Sequence, residues 1–279
     1  MTSTYPDYET LQVTVAGGVA EVTMNRPDKG NALNLQLAVD LLDAADRVSE
    51  DAAVRAVLLT GAGKSFCFGG DLASFHAEGA GMARHLKDVT VPLHAAISRL
   101  TRMDPPLIVA VNGTAAGAGF SLALIGDLVL SAASAKYTMA YTRIGVSPDG
   151  SSTYFLPRVV GLRRAQELMF TNRLLSAEEA AEWGVVTRVV ADEALMDEAR
   201  ALAAEMAAGP TRAYGQIKTL LASTFGATLE TQMEFESLSI AGMAKTADGR
   251  NGITAFLEKR KVTFTCLLYT SDAADEVLG

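Results

Sequence analysis

Two glycine-rich turns carry main-chain groups that could stabilise a negatively charged oxygen. Residues 61–72 follow the apolar stretch 56–60, and residues 112–120 follow the apolar stretch 107–111. A glycine-rich turn between a buried strand and a helix leaves N–H groups without partners, and such groups bind anions. Two turns of this kind can direct two donors at one carbonyl oxygen. We therefore predict an oxyanion site, although each turn alone is typical of an ordinary chain reversal.

Composition narrows the classes of partner. The chain has 279 residues, of which 49% are hydrophobic and 20% charged, enough for a large core in one domain or in a domain with an appendage. A net charge of -8 and a pI near 5.0 argue against nucleic acid or an acidic membrane as partner and favour a small molecule.

The cysteine count and the chain start bear on location. Cys67 and Cys266 supply neither a disulfide framework nor a metal motif, so we expect no metal. Residues 1–7 lack the features of a signal peptide, and no apolar run is long enough to span a membrane. The expected location is cytoplasmic.

Hydrophobic periodicity predicts an α/β core followed by helices. A hairpin around Gly17 and Gly18 leads to a helix capped by Asn34, and strands then alternate with helices. We predict a core over 1–191, a helical region over 192–265 that serves oligomerisation, and a tail over 266–279 that is either a cloning or assembly artefact or a disordered native segment. The predicted strands are 11–15, 19–25, 56–60, 107–111, 127–131 and 188–190; the predicted helices are 35–48, 82–102, 119–126, 161–171, 176–183, 192–208, 211–223, 229–244 and 248–261.

Several ordered motifs together resemble the crotonase, or enoyl-CoA hydratase/isomerase, superfamily. They are Asn25-Arg26-Pro27, the segments 65–72 and 112–119, Pro148-Asp149 and the segment 180–186, so the resemblance spans roughly residues 10–265. It implies a spiral of ββα repeats with a C-terminal helical region, assembled as a homotrimer or hexamer. It also implies an acyl-CoA thioester substrate, with coenzyme A entering as part of the substrate and no separate cofactor.

The resemblance also implies roles for particular residues. The oxyanion donors would be the N–H groups of Gly70 and Ala118. Asp149 would be the single base of an enoyl-CoA isomerase, moving a proton from C2 to C4, and it would need burial near Phe120 and Tyr141 to act near neutral pH. Hydratases carry glutamates where this chain has Ser121 and Tyr141, so ordinary hydration is disfavoured. The implied substrate contacts are Lys29, Phe68, Asp71, Leu72, Gly117, Ser121 and Tyr141.

Other interpretations stay open beside the isomerase. They are a hydratase-type lyase, a non-catalytic acyl-CoA binding protein, and a 4-chlorobenzoyl-CoA dehalogenase-like hydrolase in which Asp149 is the nucleophile and His94 matches the assisting histidine. Without the resemblance, Asp149 would be interpreted as a turn residue and His94 as a packed helix residue.

Two further classes are disfavoured. A serine hydrolase built on Ser121 is excluded because all three histidines precede it, and residues 117–122 lack the third glycine of a dinucleotide-binding motif. Some cations resemble family residues that contact coenzyme A, although cations at such positions are most often ordinary solvated charges. These cations are Arg26, Lys29, Lys259, Arg260 and Lys261.

Overall fold

Short strands alternate with helices along most of the chain in the computed structural model, which describes residues 5–266. Apart from Cys266, the predicted tail lies outside the described residues. The strands are β1 (Leu11–Ala16), β2 (Val19–Met24), β3 (Ala56–Gly61), β4 (Ser65–Cys67), β5 (Leu107–Val111), β6 (Thr114–Ala116), β7 (Leu128–Ala132), β8 (Lys136–Thr138), β9 (Leu175–Ser176) and β10 (Arg188–Val190). The helices are α1 (Leu35–Glu50), α2 (Leu72–Ala77), α3 (Met82–Arg102), α4 (Ala118–Leu124), α5 (Ser152–Val160), α6 (Leu162–Thr171), α7 (Ala177–Glu182), α8 (Leu195–Ala207), α9 (Thr211–Ser223), α10 (Leu229–Ala244) and α11 (Ala247–Leu257).

The strands form two sheets that the chain visits in turn. One sheet has the order β1-β2-β3-β5-β7-β10, in which only the β1-β2 pair is antiparallel, and the other has the order β4-β6-β8-β9. Each long strand β3, β5 and β7 is followed at once by a short strand of the second sheet, β4, β6 or β8, and then by a helix. This repetition is the predicted spiral of ββα units, and the fold class is confirmed.

The long strands are apolar throughout because helices cover the sheet. Every residue of β3 and of β5 is buried, as expected for parallel strands packed on both faces. Helix α1 begins where predicted, at the cap residue Asn34, whose side chain accepts a hydrogen bond from the Leu37 N–H at 3.0 Å. Leu37 and Leu41 on this helix are fully buried in the core, so its amphipathic pattern predicts its packing correctly.

The structure differs from the prediction in the short elements. The four-stranded sheet was not predicted, because strands of two or three residues are too short to show periodicity. Helix α5 was also missed, since it contains Pro157, a residue that normally interrupts helices. Helix α11 ends at Leu257, earlier than predicted, and Lys259 beyond it adopts the left-handed conformation with φ of 54°.

The C-terminal helices divide into two groups. Helix α8 packs against β2, β3, β5 and β7, and its small residues Ala199 and Ala203 are fully buried. Helix α10 has no buried residue and packs only against its neighbours α9 and α11 among the helices and strands with extensive contacts in residues 5–266. Large apolar side chains are exposed along this second group, including Leu229, Met233, Leu238, Ile240, Phe256 and Leu257.

None of the helices within residues 5–266 combines the length and the apolar character that crossing a membrane requires.

Candidate active site

The two glycine-rich turns lie against each other. A Cβ atom placed on Gly69 would stand 2.7 Å from the Ala116 carbonyl oxygen and 3.4 Å from the Ala118 nitrogen. A Cβ atom on Gly117 would stand 3.7 Å from the Gly69 Cα. Both glycines have positive φ, 91° and 53°, so each turn uses a backbone conformation that side chains disfavour. The turns predicted from segments far apart in the chain therefore meet at the end of the four-stranded sheet.

The Gly70 N–H faces away from Leu33, the residue that pairs with the first turn. Leu33 forms a parallel bridge with Gly70 through the flanking residues: the Leu33 N–H donates to the Gly69 carbonyl at 2.7 Å, and the Asp71 N–H donates to the Leu33 carbonyl at 2.8 Å. In such a bridge the central residue presents its own N–H to the opposite side. Leu33 thus fixes the direction of the first predicted donor.

The Ala118 N–H is the second predicted donor. Ala118 is the first residue of α4, which begins after Gly117, and the first N–H groups of a helix have no partner within it. The helical conformation gives Ala118 a negative φ, so its methyl side chain imposes no strain. Within residues 5–266, neither this N–H nor that of Gly70 forms a protein hydrogen bond, so both are free to bind a ligand oxygen.

Asp149 lies beside these turns and is held by Tyr141. The Tyr141 hydroxyl donates to Asp149 Oδ1 at 2.7 Å, and the Tyr141 ring carbon Cζ would be 3.9 Å from a Cβ on Gly117. The Asp149 side chain is 28% exposed, so the carboxylate is not fully enclosed by the protein. Phe120, the other expected neighbour, packs instead against Tyr137 with ring centres 5.3 Å apart. Tyr141 is therefore the aromatic residue that orients the carboxylate.

The Tyr141 phenol is a donor and not a base. Burial raises the pKa of Tyr141 well above its usual value, and the negative charge of Asp149 raises it further. The Ser121 hydroxyl holds the Tyr141 side chain in place. It lies 3.1 Å from the Tyr141 oxygen and 3.1 Å from the Asp149 carbonyl oxygen. Ser121 is fully buried, so the structure places it behind Tyr141 rather than on the open side of the site, where the resemblance implied a substrate contact.

His94 on α3 completes the arrangement around Asp149. Its Nε2 atom accepts a hydrogen bond from the Gly150 N–H at 3.2 Å and lies 3.8 Å from Asp149 Oδ2. The side chain is half exposed, so His94 is not a packed helix residue. The structure brings the histidine to the carboxylate across 55 residues of chain, which no local pattern indicates.

The other predicted contact residues surround the first turn. Asp71 caps α2 by accepting from the Ser74 N–H at 3.2 Å, and it forms an ion pair with Arg26 at 2.9 Å. Burial would raise the pKa of Asp71, but the hydrogen bonds from Arg26 and Ser74 hold it below its usual value. Asp71 therefore holds the turn through protein partners. Phe68, Leu72 and Lys29 are exposed around it, where a ligand can reach them.

Two structural details were not expected from the sequence. The Phe75 ring covers Gly70, since a Cβ on Gly70 would lie 2.5 Å from Phe75 Cε2, and Phe75 also meets the His85 ring at a centre distance of 5.8 Å. Cys67 is fully buried in the first turn, and burial raises the pKa of its thiol to about 12. The thiol is therefore protonated near neutral pH and is not a nucleophile.

In the single chain, the C-terminal cations are not among the residues that surround Asp149 and the two glycine-rich turns. Lys259, Arg260 and Lys261 are exposed, and Arg260 pairs with Glu258 at 2.7 Å. Across residues 5–266, no group of three or more His, Cys, Asp or Glu side chains is arranged to hold a metal ion.

Comparisons with known proteins define the family. Residues 14–266 match the family described as enoyl-CoA hydratase/isomerase. The chain is 42% identical over 252 residues to the 1,2-epoxyphenylacetyl-CoA isomerase of Escherichia coli (strain K12), an alignment that covers 90% of this chain and 96% of that protein. It is 37% identical over 227 residues to 4-chlorobenzoyl coenzyme A dehalogenase-2 of Arthrobacter sp., with coverage of 81% and 82%.

Comparison with solved structures supports the same family. The fold matches the crystal structure of an enoyl-CoA hydratase from Polaromonas sp. JS666 with a TM-score of 0.87 at 31% identity, covering 91% of this chain and 99% of that one. The chain belongs to the enoyl-CoA hydratase/isomerase family, within the crotonase superfamily. It is therefore an acyl-CoA-processing member of that superfamily.

Proposed function

We propose that this protein isomerises the double bond of an enoyl-CoA thioester with Asp149 as the only base. The N–H groups of Gly70 and Ala118 bind the thioester oxygen. Asp149 removes a proton from C2 of a 3-enoyl-CoA, the electron pair is delocalised onto the bound oxygen, and the protonated Asp149 returns the same proton at C4. The product is the conjugated 2-enoyl-CoA, and no atoms are gained or lost. Coenzyme A is part of the substrate, and the proposal includes no separate cofactor.

The observation that carries this proposal is the carboxylate of Asp149, which Tyr141 holds beside the paired turns. Hydration needs one group to deprotonate water and another to protonate carbon. At the two positions that would carry hydratase glutamates stand Ser121, buried behind the site, and Tyr141, whose phenol stays protonated. A one-base proton shuttle needs neither of these groups to ionise.

The similarity to the E. coli isomerase supports the same class of reaction. We therefore choose 1,2-epoxyphenylacetyl-CoA, the compound in that relative's name, as the second substrate to assay beside a 3-enoyl-CoA.

The decisive experiment measures the fate of the C2 proton. Purified protein is incubated with a 3-enoyl-CoA in D₂O, and the product is analysed by mass spectrometry and NMR. We expect 2-enoyl-CoA without net addition of water, with deuterium at C4 wherever the proton on Asp149 exchanges with solvent before its return. We expect Asp149→Asn to abolish formation of this product while thioester binding is retained. Asp7→Asn, an exposed acid distant in sequence from the site, serves as the control.

Other outcomes select other functions. A 3-hydroxyacyl product would select a hydratase, and an active Asp149→Asn enzyme would remove the proposed base. Binding of thioesters without turnover of any of them would select a non-catalytic acyl-CoA binding protein.

A second candidate function is hydrolytic dehalogenation, favoured by the 3.8 Å approach of His94 Nε2 to Asp149 Oδ2 and by the similarity to the Arthrobacter dehalogenase. In this reaction Asp149 attacks the halogenated ring carbon and expels chloride, and water then hydrolyses the aryl ester. Chloride release from 4-chlorobenzoyl-CoA tests it directly. Absence of chloride release together with isomerisation of a 3-enoyl-CoA would reject it.

A further inference from the structure

A large cavity opens beside Asp149 and runs away from it between three helices. It has a volume of about 590 Å³, and its lining includes His94 of α3 and Ser151, which precedes α5. Both residues lie near Asp149: His94 Nε2 is 3.8 Å from Asp149 Oδ2, and Ser151 follows Asp149 by two residues. Helix α9 closes the cavity with Leu221 and Phe225. An acyl group that has its reacting carbons at Asp149 can therefore extend into this space.

The cavity has both apolar and polar lining residues and carries arginines on two of its walls. Ile97 and Phe155 are among the apolar lining residues, whereas Arg102 on α3 and Arg158 on α5 line it farther along their helices. Arg158 lies seven residues beyond Ser151, and Arg102 lies eight residues beyond His94. At about 1.5 Å per helical residue, both arginines lie roughly 10 to 12 Å from the Asp149 end.

Arg158 is oriented but retains free donors. Its guanidinium carbon lies 3.5 Å from the centre of the Tyr154 ring and 5.1 Å from the centre of the Phe225 ring, and Nη1 donates to the Tyr154 carbonyl at 2.7 Å. A guanidinium has five N–H donors, so several remain available. Among residues 5–266, no acidic side chain forms an ion pair with Arg158 or Arg102.

The third cation of the cavity is already neutralised. Lys218 on α9 forms an ion pair with Asp127 at 2.8 Å and donates to the carbonyl oxygens of Leu100 and Pro105. Its charge is therefore satisfied within the protein. The charge left for a ligand is that of the two arginines.

We infer that this cavity selects acyl groups that end in a carboxylate, so that the substrates are CoA thioesters of medium-chain dicarboxylic acids. An extended chain advances about 1.2 Å per bond, so a span of 10 to 12 Å holds roughly eight to ten bonds beyond the carbons at Asp149. The carboxylate would then lie near C12 and bind the arginine guanidinium in a charge-assisted hydrogen bond. This inference rests on the proposed function for the placement of the reacting carbons at Asp149.

The test compares two saturated thioesters that the enzyme cannot isomerise. The binding of dodecanedioyl-CoA, with one free carboxylate, and of dodecanoyl-CoA is measured by calorimetry on the full chain and on its Arg158→Gln, Arg158→Lys and Arg102→Gln variants. We expect the wild type to bind the dicarboxylic thioester about tenfold more tightly. Arg158→Gln should remove most of this preference and leave dodecanoyl-CoA binding unchanged, and Arg158→Lys should keep part of it.

Arg163→Gln on α6 is the matched control, because Arg163 is exposed and does not line the cavity. Equal binding of the two thioesters by the wild type would overturn the inference. An equal loss of affinity for both thioesters in the Arg158→Gln variant would also overturn the inference. That result would mean that Arg158 only shapes the cavity or that a second chain occupies the cavity. If Arg158→Gln fails to fold by circular dichroism, Arg158→Lys and Arg102→Gln decide the question. Because binding is measured without turnover, failure here is distinguishable from failure of the proposed isomerase.

Discussion

Replacing Gly69 by alanine tests whether the two glycine-rich turns act as one site. The new Cβ atom would stand 2.7 Å from the Ala116 carbonyl oxygen, and one turn must retreat by about 0.7 Å to reach an ordinary contact distance. Gly69 also has a φ of 91°, a region that costs an alanine roughly 1–2 kcal/mol. Overpacking adds about 1–3 kcal/mol, so we expect a total loss of roughly 2–5 kcal/mol in the free energy of unfolding.

The same displacement should reduce turnover. It separates the Gly70 and Ala118 N–H groups, and weakening one oxyanion donor lowers kcat by about 10²-fold to 10³-fold. Because the affected contact is with the thioester oxygen in its charged state, the KM for the CoA ester should change much less than kcat.

Urea unfolding and the isomerase assay, both at 25 °C, measure the two effects. Gly17→Ala is the matched control: Gly17 also has a positive φ, 59°, but a Cβ there would meet nothing within 4 Å. The control should lose about 1–2 kcal/mol of stability and no activity. A folded Gly69→Ala enzyme with wild-type kcat, or a Gly17→Ala enzyme that loses as much activity, would refute the shared oxyanion site.

Two further predictions concern the carboxylate and the exposed C-terminal helices. Tyr141→Phe removes the donor to Asp149 Oδ1 and should lower kcat about tenfold to a hundredfold. In the wild type, the raised pKa of Tyr141 keeps the phenol protonated. A pH–rate profile of the wild type should therefore show no loss of activity from ionisation of Tyr141 below pH ~10. A Tyr141→Phe enzyme with unchanged kcat would contradict this role. Since Leu238 and Ile240 on α10 are exposed, we expect light scattering to show trimers or hexamers. The Leu238→Glu/Ile240→Glu double variant should shift the measured mass toward that of one chain. The control Val91→Glu on α3 should leave the mass unchanged. A wild type that is monomeric at micromolar concentration would exclude such an assembly.

The long elements of the fold are predictable because local rules determine them. The cap at Asn34 and the apolar spacing of α1 fix where that helix begins, and α3, α9 and α10 have the predicted bounds. Where local rules conflict with packing, prediction fails. Pro157 is a residue that normally interrupts helices, yet Leu156 beside it is fully buried and helix α5 continues through both. The strands β4, β6 and β8 are too short for any periodicity to mark them.

The candidate site is predictable in its backbone and much less so in its side chains. Glycine spacing marks both turns, because positive φ and close backbone approach restrict these positions to glycine. The position of His94 beside Asp149, the Phe75 ring over Gly70 and the burial of Ser121 depend on how α2, α3 and α4 pack. Those contacts join residues distant in sequence, and a helix brings different residues to each of its neighbours, so spacing alone does not determine them.

The proposed oxyanion donors are amides of the main chain, and this has a consequence for the evolution of the protein. An amide survives most substitutions of its own residue, whereas the groups at positions 94, 141 and 149 change identity with a single codon. A descendant of this chain could therefore acquire a new reaction through a few point mutations while inheriting the proposed oxyanion donors intact.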